Sequence, residues 1–313
     1  MRRPVALGLT LLLALGAWIG IGAARTEPYR AQAQTPAVEI HATQDAAFLP
    51  SERNKPIFIL AIGSDARPDE AVDERLADSL HIVAVNPKMG AGSILGFPRD
   101  SYVSIPGVGE RKINDSLFYG GPEKVVETIE QLTGVTIDYY LLTGFDGFKK
   151  LVTGVGGIRI DVPYPMNDSY SGANFDEGSV TVDGPEALAF ARNRHDTPQG
   201  DFSRSENQGS IMVAALKELR KTFVKDPSVI FEWIAVGTAY LQTDLTFDQV
   251  FDLMLTALQV PPAKMTNAVV PGGTATIGGA SVVILSDSAD QIYADLADDG
   301  VLENPPPSAN VSP

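Results

Sequence analysis

The chain has 313 residues, 44% of them hydrophobic and 20% charged, with 39 acidic against 24 basic side chains for a formal net charge of −15. That length allows one large globular domain or two ordinary ones, and the acidic balance argues against nucleic acid as the main partner, because phosphate backbones need a basic face. With no cysteine and only His41, His81 and His195, disulfides, thiol nucleophiles and thiolate metal sites are excluded and a polyhistidine zinc centre is disfavoured.

Met1-Arg2-Arg3 precedes an apolar run from Pro4 to about Ala24. A run of roughly 20 residues matches the hydrocarbon core of a bilayer. Arginines before it and none within it keep the N-terminus inside and export everything after Arg25. The expected division is a cytoplasmic stub and anchor over 1–24 and an extracytoplasmic linker over 25–54. A cleaved signal peptide, with Ala31-Gln32-Ala33 as cleavage site, is the rival. From 55 to 302 strands and helices alternate. Ile57 to Ile62 is a continuous apolar run of the kind buried on both faces. Leu80 to Val85 is a second strand, closed by a turn at Asn86-Pro87-Lys88-Met89-Gly90, and Ser93 to Phe97 is a third. Pro122 opens a helix through Val125, Ile129 and Leu132 that Gly134 terminates. Ile137 to Leu142 reads as a strand, Phe145 to Val152 as a helix and Ile158 to Val162 as extended. Asp183-Gly184-Pro185-Glu186 starts a helix that delivers the chain into Arg192. A long helix is expected from about Ser205 to Phe223, with Arg204 at its N-terminus, where backbone N–H groups and the dipole favour an anion. Thr246-Phe247-Asp248-Gln249 has capping-box spacing and starts a helix through Leu258. Ser281 to Leu285 is a late strand, and 303–313, with Pro305-Pro306-Pro307, reads as a flexible tail. The total is one α/β sandwich.

The stretch from Ala191 to Gln208 carries the most chemistry. Arg192, Arg194 and Arg204 crowd one segment of an otherwise acidic protein. Guanidinium forks hold phosphate oxygens bidentately at any working pH, so a diphosphate is the expected ligand. The bland alternative is that Asp196, Asp201 and Glu206 neutralise these arginines as surface pairs. Asp65 follows a strand end and Asp78 precedes a strand start. If those strands are neighbours, two carboxylates, phosphate oxygens and water make a magnesium site; otherwise both are turn or capping residues. Asp100, beside Arg99, is an orienter, a general base or a turn residue. His195 has proton-transfer chemistry, yet a single histidine beside Arg194 reads as an exposed loop residue. Ser203 and Ser205 lack a hydrolase elbow.

These residues resemble the LytR–CpsA–Psr family of envelope phosphotransferases. The likeness runs through Gly63-Ser64-Asp65, Ala77-Asp78-Ser79, Phe97-Pro98-Arg99-Asp100, Lys112-Ile113-Asn114, Tyr119-Gly120-Gly121-Pro122-Glu123, Gly184 to Arg194 and Gly200-Asp201-Phe202-Ser203-Arg204. The resemblance implies a three-layer α-β-α sandwich with a mixed central sheet, preceded by one N-terminal transmembrane helix. It implies a magnesium-dependent enzyme of the cell membrane, single-pass with its domain outside. Such an enzyme moves a phosphoglycan from a polyprenyl-diphosphate carrier to a cell-wall (peptidoglycan) hydroxyl and releases polyprenyl phosphate. Carried onto this chain, Asp65 and Asp78 would hold Mg²⁺, and Arg99, Arg192, Arg194 and Arg204 would grip the diphosphate. Lys112, Asn114 and Gln208 would add head-group contacts, with Asp100 and Asp201 as positioners. One departure stands out: relatives carry an arginine two residues before the second metal aspartate, where this chain has Leu76, and Arg75 is one step further away. A prenyl chain needs an apolar channel, and the helices near Val125–Leu132 and Phe148–Val152 are expected to line it. A polyprenyl-diphosphate hydrolase and a non-catalytic lipid-linked-glycan scaffold are the alternatives.

Overall fold

Strands β1 (Ile57–Ser64), β2 (Ala77–Asn86) and β3 (Ala91–Gly96) form an antiparallel meander at the centre of the protein. A computed structural model describes residues 55–310. The apolar run 4–24 and the linker 25–54 lie outside the described residues, among which no helix is long and apolar enough to cross a membrane. After β3 the chain makes a hairpin, β4 (Tyr102–Ile105) and β5 (Gly109–Lys112), and enters helix α1 (Asp115–Thr133). That helix is broken at Gly120 and Gly121; the Gly121 φ of 67° suits glycine, so the segment after Pro122 is the helix the sequence predicts. Strand β6 (Tyr139–Gly144) then pairs in parallel with β1.

Helix α2 (Phe145–Gly154) leads to a small second sheet made by β7 (Ile158–Val162) and β10 (Gly178–Val182), with the hairpin β8 (Met166–Asp168) and β9 (Ala173–Phe175) between them. Next come helices α3 (Gly184–Arg192), α4 (Asp201–Lys225) and α5 (Val229–Tyr240). Strand β11 (Gln242–Thr243) adds to β6, helix α6 (Phe247–Ala257) follows, and β12 (Met265–Val269) closes the other edge, parallel to β3. The chain continues into the hairpin β13 (Gly272–Ile277) and β14 (Ala280–Leu285) and helix α7 (Ala289–Asp299). The central sheet is therefore mixed, in the order β11-β6-β1-β2-β3-β12.

Alternation of side chains along each strand sorts the two faces. Phe58, Leu60, Leu80, Ile82, Leu95 and Phe97 face a core completed by Val125 and Ile129 of α1 and by Ile292 and Leu296 of α7. Ile59, Ala61, Val83 and Leu141 face the opposite layer, where α2 to α6 lie. The expected three layers around a mixed sheet are thus present in the described residues. The predicted capping box at Thr246 holds, its hydroxyl accepting from Gln249 N–H, and the predicted helix start at Asp183 proves to be a second one, its carboxylate accepting from Glu186 N–H, each reciprocated by the glutaminyl or glutamyl side chain. Helix α4 begins at Asp201, one turn earlier than predicted.

Two expectations are corrected. The Val125–Leu132 segment packs into the core on the α1 side of the sheet, not around a channel. The tail is not frayed through Asn310. Ser308 Oγ and Asn310 N–H donate to the two Glu206 carboxylate oxygens (2.7 and 3.0 Å), and Ser203 Oγ donates to Ala309 O (2.6 Å). Proline-rich composition favours an extended strand, and here helix α4 supplies the partners that hold one.

Candidate active site

Strand pairing brings the two candidate metal carboxylates to one end of the sheet. Gly63 pairs with Ser79 and Ser64 with Ala77, so Asp78 is the extra residue of a β-bulge. A bulge re-aims the side chain it carries, and Asp78 meets the Arg99 guanidinium from the loop after β3. On the neighbouring strand, Asp65 Oδ1 accepts the Leu76 N–H (3.1 Å), and Asp65 N–H donates to Leu76 O (3.0 Å). Arg75 also reaches this acid: its Nε lies 3.8 Å from Asp65 Oδ1 and 3.4 Å from Glu70 Oε2. So Arg75, although one step out of the family position, stands against the first candidate metal ligand. Among the described residues no group of three or more acidic or histidine side chains gathers as a ready metal cage. Two carboxylates, each with its Oδ2 outside the bonds just given, are the donor set Mg²⁺ uses when phosphate oxygens and water complete its shell. The residues fit that ion.

Arg99, Arg194 and Arg204 converge. Arg204, in the first turn of α4 with only 5% of its side chain exposed, sits 2.6 Å from Asp201 Oδ1. That contact is an ion pair without hydrogen-bond geometry, because both Asp201 oxygens and Arg204 Nε lack a hydrogen-bond partner. Burial lowers the Arg204 guanidinium below its usual range, and the nearby positive charges of Arg99 and Arg194 lower it further against the pull of Asp201 and Asp78. Arg99 goes the other way: desolvation works to lower it, but Asp78, Asp201 and Asp100 together raise it. Both guanidiniums, Arg194 and these carboxylates therefore share one electrostatic neighbourhood. Gln208, one turn along α4 from Arg204, donates through Nε2 to Asp78 O (3.3 Å) and Ala191 O (3.1 Å), tying the Asp78 end of β2 to the end of α3. Arg192 caps that end, with its guanidinium 4.9 Å from the centre of the Phe145 ring.

The remaining predicted residues frame this cluster. Lys112 Nζ donates to Asp100 Oδ1 (3.0 Å), so these two neutralise one another beside Arg99. Asn114 is buried at the start of α1, its N–H donating to Arg99 O (3.2 Å) and its carbonyl accepting Ala77 N–H (3.1 Å). Its Oδ1 is unpaired, as are Arg99 Nε and both side-chain polar atoms of the buried Asn193 between Arg192 and Arg194. Buried polar groups are normally paired, so this region retains hydrogen-bonding capacity that the fold itself leaves unused. The bland alternative fails by half. Asp201 does pair with Arg204, but Asp196 accepts from Asn167 N–H and Glu206 from the tail. Among the described residues Arg192 and Arg194 have no ion pair.

Behind the cluster, between the sheet and helices α2 to α6, runs an apolar cavity of about 460 Å³. Its walls include Ile59 and Val83 of the sheet, Phe148 and Leu151 of α2, Ile211 of α4 and Trp233 of α5. Asp78, Gln208, Ala191 and Phe145 also line it, so the arginine cluster stands at one end. Phe148, Leu151 and Val152, from the second helix expected to line a channel, do line this cavity. Helix α5 contributes a wall for which the sequence gives no signal.

Sequence reasoning also misses His81. His81 is fully buried on β2, its Nε2 2.9 Å from Ser205 O and its Nδ1 3.1 Å from Ser79 Oγ. A carbonyl can only accept, so Nε2 carries the proton and Nδ1 accepts from Ser79. The contact is close because Gly96 has no side chain: a Cβ there would stand 2.4 Å from Ser205 Oγ and 2.8 Å from His81 Nε2. Desolvation brings the His81 pKa down to about 4, with Arg204 adding to it and the Ser205 carbonyl opposing. The unfolded chain therefore binds this proton more readily. Stability from His81 is complete above the unfolded value and is lost as pH falls toward the folded one. The window from about 6.5 to about 4 gives a loss of about 2 kcal/mol between pH 7.5 and pH 5. Urea unfolding at those two pH values should register that loss in the wild type, and His81→Leu should flatten the difference by a similar amount.

A family model described as the LytR_cpsA_psr family matches residues 21–297. The polyisoprenyl-teichoic acid–peptidoglycan teichoic acid transferase TagU of Bacillus mycoides (strain KBAB4) is 34% identical over 202 residues, 64% of this chain and 64% of its own. TagU of Bacillus subtilis (strain 168) is 31% identical over 202 residues, with the same coverage. The chain thus spans about 64% of the length of these curated relatives. The crystal structure of B. subtilis TagV superposes with a TM-score of 0.68 at 26% identity, covering 78% of this chain and 96% of that one. A structure of TagT bound to LI-WTA gives a TM-score of 0.66 at 22% identity, covering 81% and 93%, a likeness of fold. A match across most of the sequence, together with a fold shared with TagV, makes this chain a member of the LytR_cpsA_psr family.

Proposed function

We propose that the protein transfers a phosphoglycan from a polyprenyl-diphosphate carrier to a hydroxyl of peptidoglycan or another cell-wall polymer, releasing polyprenyl phosphate. The observation that carries this reading is an apolar cavity whose lining residues Asp78 and Phe145 touch Arg99 and Arg192, with Arg194 and Arg204 in the same electrostatic neighbourhood as Arg99, which matches the shape and polarity of a prenyl diphosphate. The TagU relatives are named for the same class of reaction. Phosphoryl transfer asks a protein mainly for alignment and charge neutralisation. Arg192 and Arg194, without carboxylate partners among the described residues, are the guanidiniums available to phosphate oxygens. Arg99 and Arg204 are held by Asp78 and Asp201 and give the pocket a fixed positive potential. Asp65 and Asp78 would hold Mg²⁺, which when bound neutralises charge on the diphosphate. The apolar segment 4–24 would anchor the chain in the cell membrane with this domain outside.

The deciding experiment follows a radiolabelled glycan on a prenyl-diphosphate donor incubated with peptidoglycan. Label bound to the polymer supports the transferase; label released as free phosphoglycan makes the protein a hydrolase; donor bound without turnover makes it a scaffold. Asp78→Asn keeps an oxygen for Arg99 but removes the carboxylate charge. It should raise the Mg²⁺ concentration for half-maximal rate at least tenfold, roughly the 10–100-fold range of weakened metal sites. An unchanged metal titration would remove Asp78 from the ligand set.

A further inference from the structure

We infer that the outward side of helices α5 and α6 is the surface by which the domain rests on a lipid bilayer. A prenyl chain then passes from membrane to cavity without crossing water. This inference rests on the transferase reading above and adds an interaction surface to it. Helix α5, Val229–Tyr240, has twelve residues, of which Glu232 alone is charged. A helix apolar all round is ordinarily buried, yet only Ile230 and Ile234 of this one are. Phe231 is 57% exposed, and its ring stacks on Phe251 of α6 with centroids 5.8 Å apart. Phe247, one turn before Phe251 and on the same side of α6, is 58% exposed. The three rings form one apolar strip across both helices, the kind of exposed patch that marks a contact surface.

The inner side of the same helices identifies what covers the strip. Trp233, Val236 and Gly237 of α5 and Val250, Leu253 and Met254 of α6 wall the apolar cavity. A layer one helix thick therefore separates the space assigned to the prenyl chain from the exposed rings. A prenyl donor is dissolved in a bilayer before it is bound, and every carbon exposed to water on the way raises the barrier. The entry of the chain agrees. Ile57, the first residue of β1, belongs with Val250 and Leu253 of α6 to one cluster around Tyr139 and Leu245. The linker from the apolar run 4–24 thus joins the domain at the end that carries the strip. At about 3.4 Å per residue the linker 25–54 could span roughly 100 Å, so an anchor alone fixes no distance between bilayer and cavity, whereas a docking face does. Glu232 and Asp248 accompany the rings, and Lys225 ends α4 nearby in the chain. With no excess of positive charge to select anionic headgroups, the face meets the bilayer through its rings.

The chain has no cysteine, so a single introduced thiol takes a fluorescent label at one place. Ala235→Cys puts a nitrobenzoxadiazole on the exposed side of α5, and Ala297→Cys puts it on the exposed side of α7, across the sheet. The full chain is reconstituted into phosphatidylcholine vesicles containing a lipid with a nitroxide at its headgroup. Quenching should be strong at position 235 and weak at position 297. Combining Phe231→Ser with Phe247→Ser should bring position 235 down to the level of 297.

The same double variant, without a label, is then assayed for glycan transfer to peptidoglycan. Each phenylalanine withdrawn from lipid is worth about tenfold or more in partition, so transfer from a vesicle-embedded prenyl donor should fall by about tenfold or more. Transfer from a soluble farnesyl-diphosphate-linked donor should be unchanged, since neither ring lines the cavity. If the two labels quench alike, or the double variant keeps the quenching at 235, the docking face is refuted, while transfer from the soluble donor still upholds the transferase reading. If the double variant slows both donors equally, the rings only hold the two helices together and the inference also fails. A blue shift at 235 that grows with protein concentration and resists the nitroxide makes the strip a contact between copies, which overturns it as well. A wild type that shows the contrast in quenching yet moves glycan from neither donor overturns the transferase reading and leaves the bilayer contact in place.

Discussion

Replacing Arg192 and Arg194 together with alanine should cut turnover at least a hundredfold while leaving the unfolding midpoint in urea nearly unchanged. Each substitution removes a charge-assisted contact to phosphate worth about 1.5–3 kcal/mol, roughly ten- to a hundredfold in rate. Stability is spared because neither guanidinium has an acidic partner among the described residues. The contact at stake is Arg192 over the Phe145 ring, a stacking of about 0.5–1 kcal/mol. Arg99 and Arg204 should behave differently. Alanine at either strands a partly or largely buried carboxylate, Asp78 or Asp201, without its counter-charge. Breaking such a pair costs about 3–5 kcal/mol, so those variants should lose folding and activity together. Turnover at saturating donor, measured beside urea unfolding for all four arginines, separates the two groups. Wild-type turnover in the Arg192, Arg194 double variant would remove both from the site.

The division between carboxylate-paired arginines and those without such a partner among the described residues cannot be read from the sequence, although the crowding of Arg192, Arg194 and Arg204 can. Spacing identifies charge partners only within a local element: Asp201 and Arg204 stand one helical turn apart and do pair. Asp168 and His195 are 27 residues apart, and nothing in Met166-Asn167-Asp168 announces the contact. The same contrast runs through the fold. β1, β2, β3 and β6 are legible because strands buried on both faces write continuous apolar runs. The capping box at Thr246 and the helix start at Asp183 are legible because their chemistry is local. Helix α5, Val229–Tyr240, is apolar nearly all round, so it carries no periodic polar face to mark it. β12 is a short edge strand, Met265–Val269, whose pairing with β3 joins segments far apart in sequence. Which face of the sheet a helix covers is likewise a tertiary fact, and that is why sequence alone puts Val125–Leu132 in the wrong layer.

The cavity gives the second large effect, and one glycine isolates it. Gly237 of α5 lines the apolar space, and a Cβ added there would meet nothing closer than Leu241 Cδ1 at 3.8 Å. Gly237→Phe therefore enters open volume without touching the arginine cluster, and replacing glycine inside a helix favours folding by up to about 1 kcal/mol. The ring should occupy space that a prenyl chain would fill. Excluding one five-carbon isoprenoid unit forfeits about 0.8 kcal/mol per carbon, about 4 kcal/mol in all, which approaches a thousandfold in affinity for a donor drawn from water. With a soluble farnesyl-diphosphate-linked donor, KM should rise by at least tenfold and toward that limit, with kcat at saturation little changed. A donor carrying a methyl group in place of the prenyl chain should show no change, because it never reaches α5. If KM for the farnesyl donor is the same in wild type and a folded Gly237→Phe variant, the lipid lies elsewhere. The arginines would then hold a diphosphate whose tail runs outside the cavity, and the apolar space would belong to the core alone.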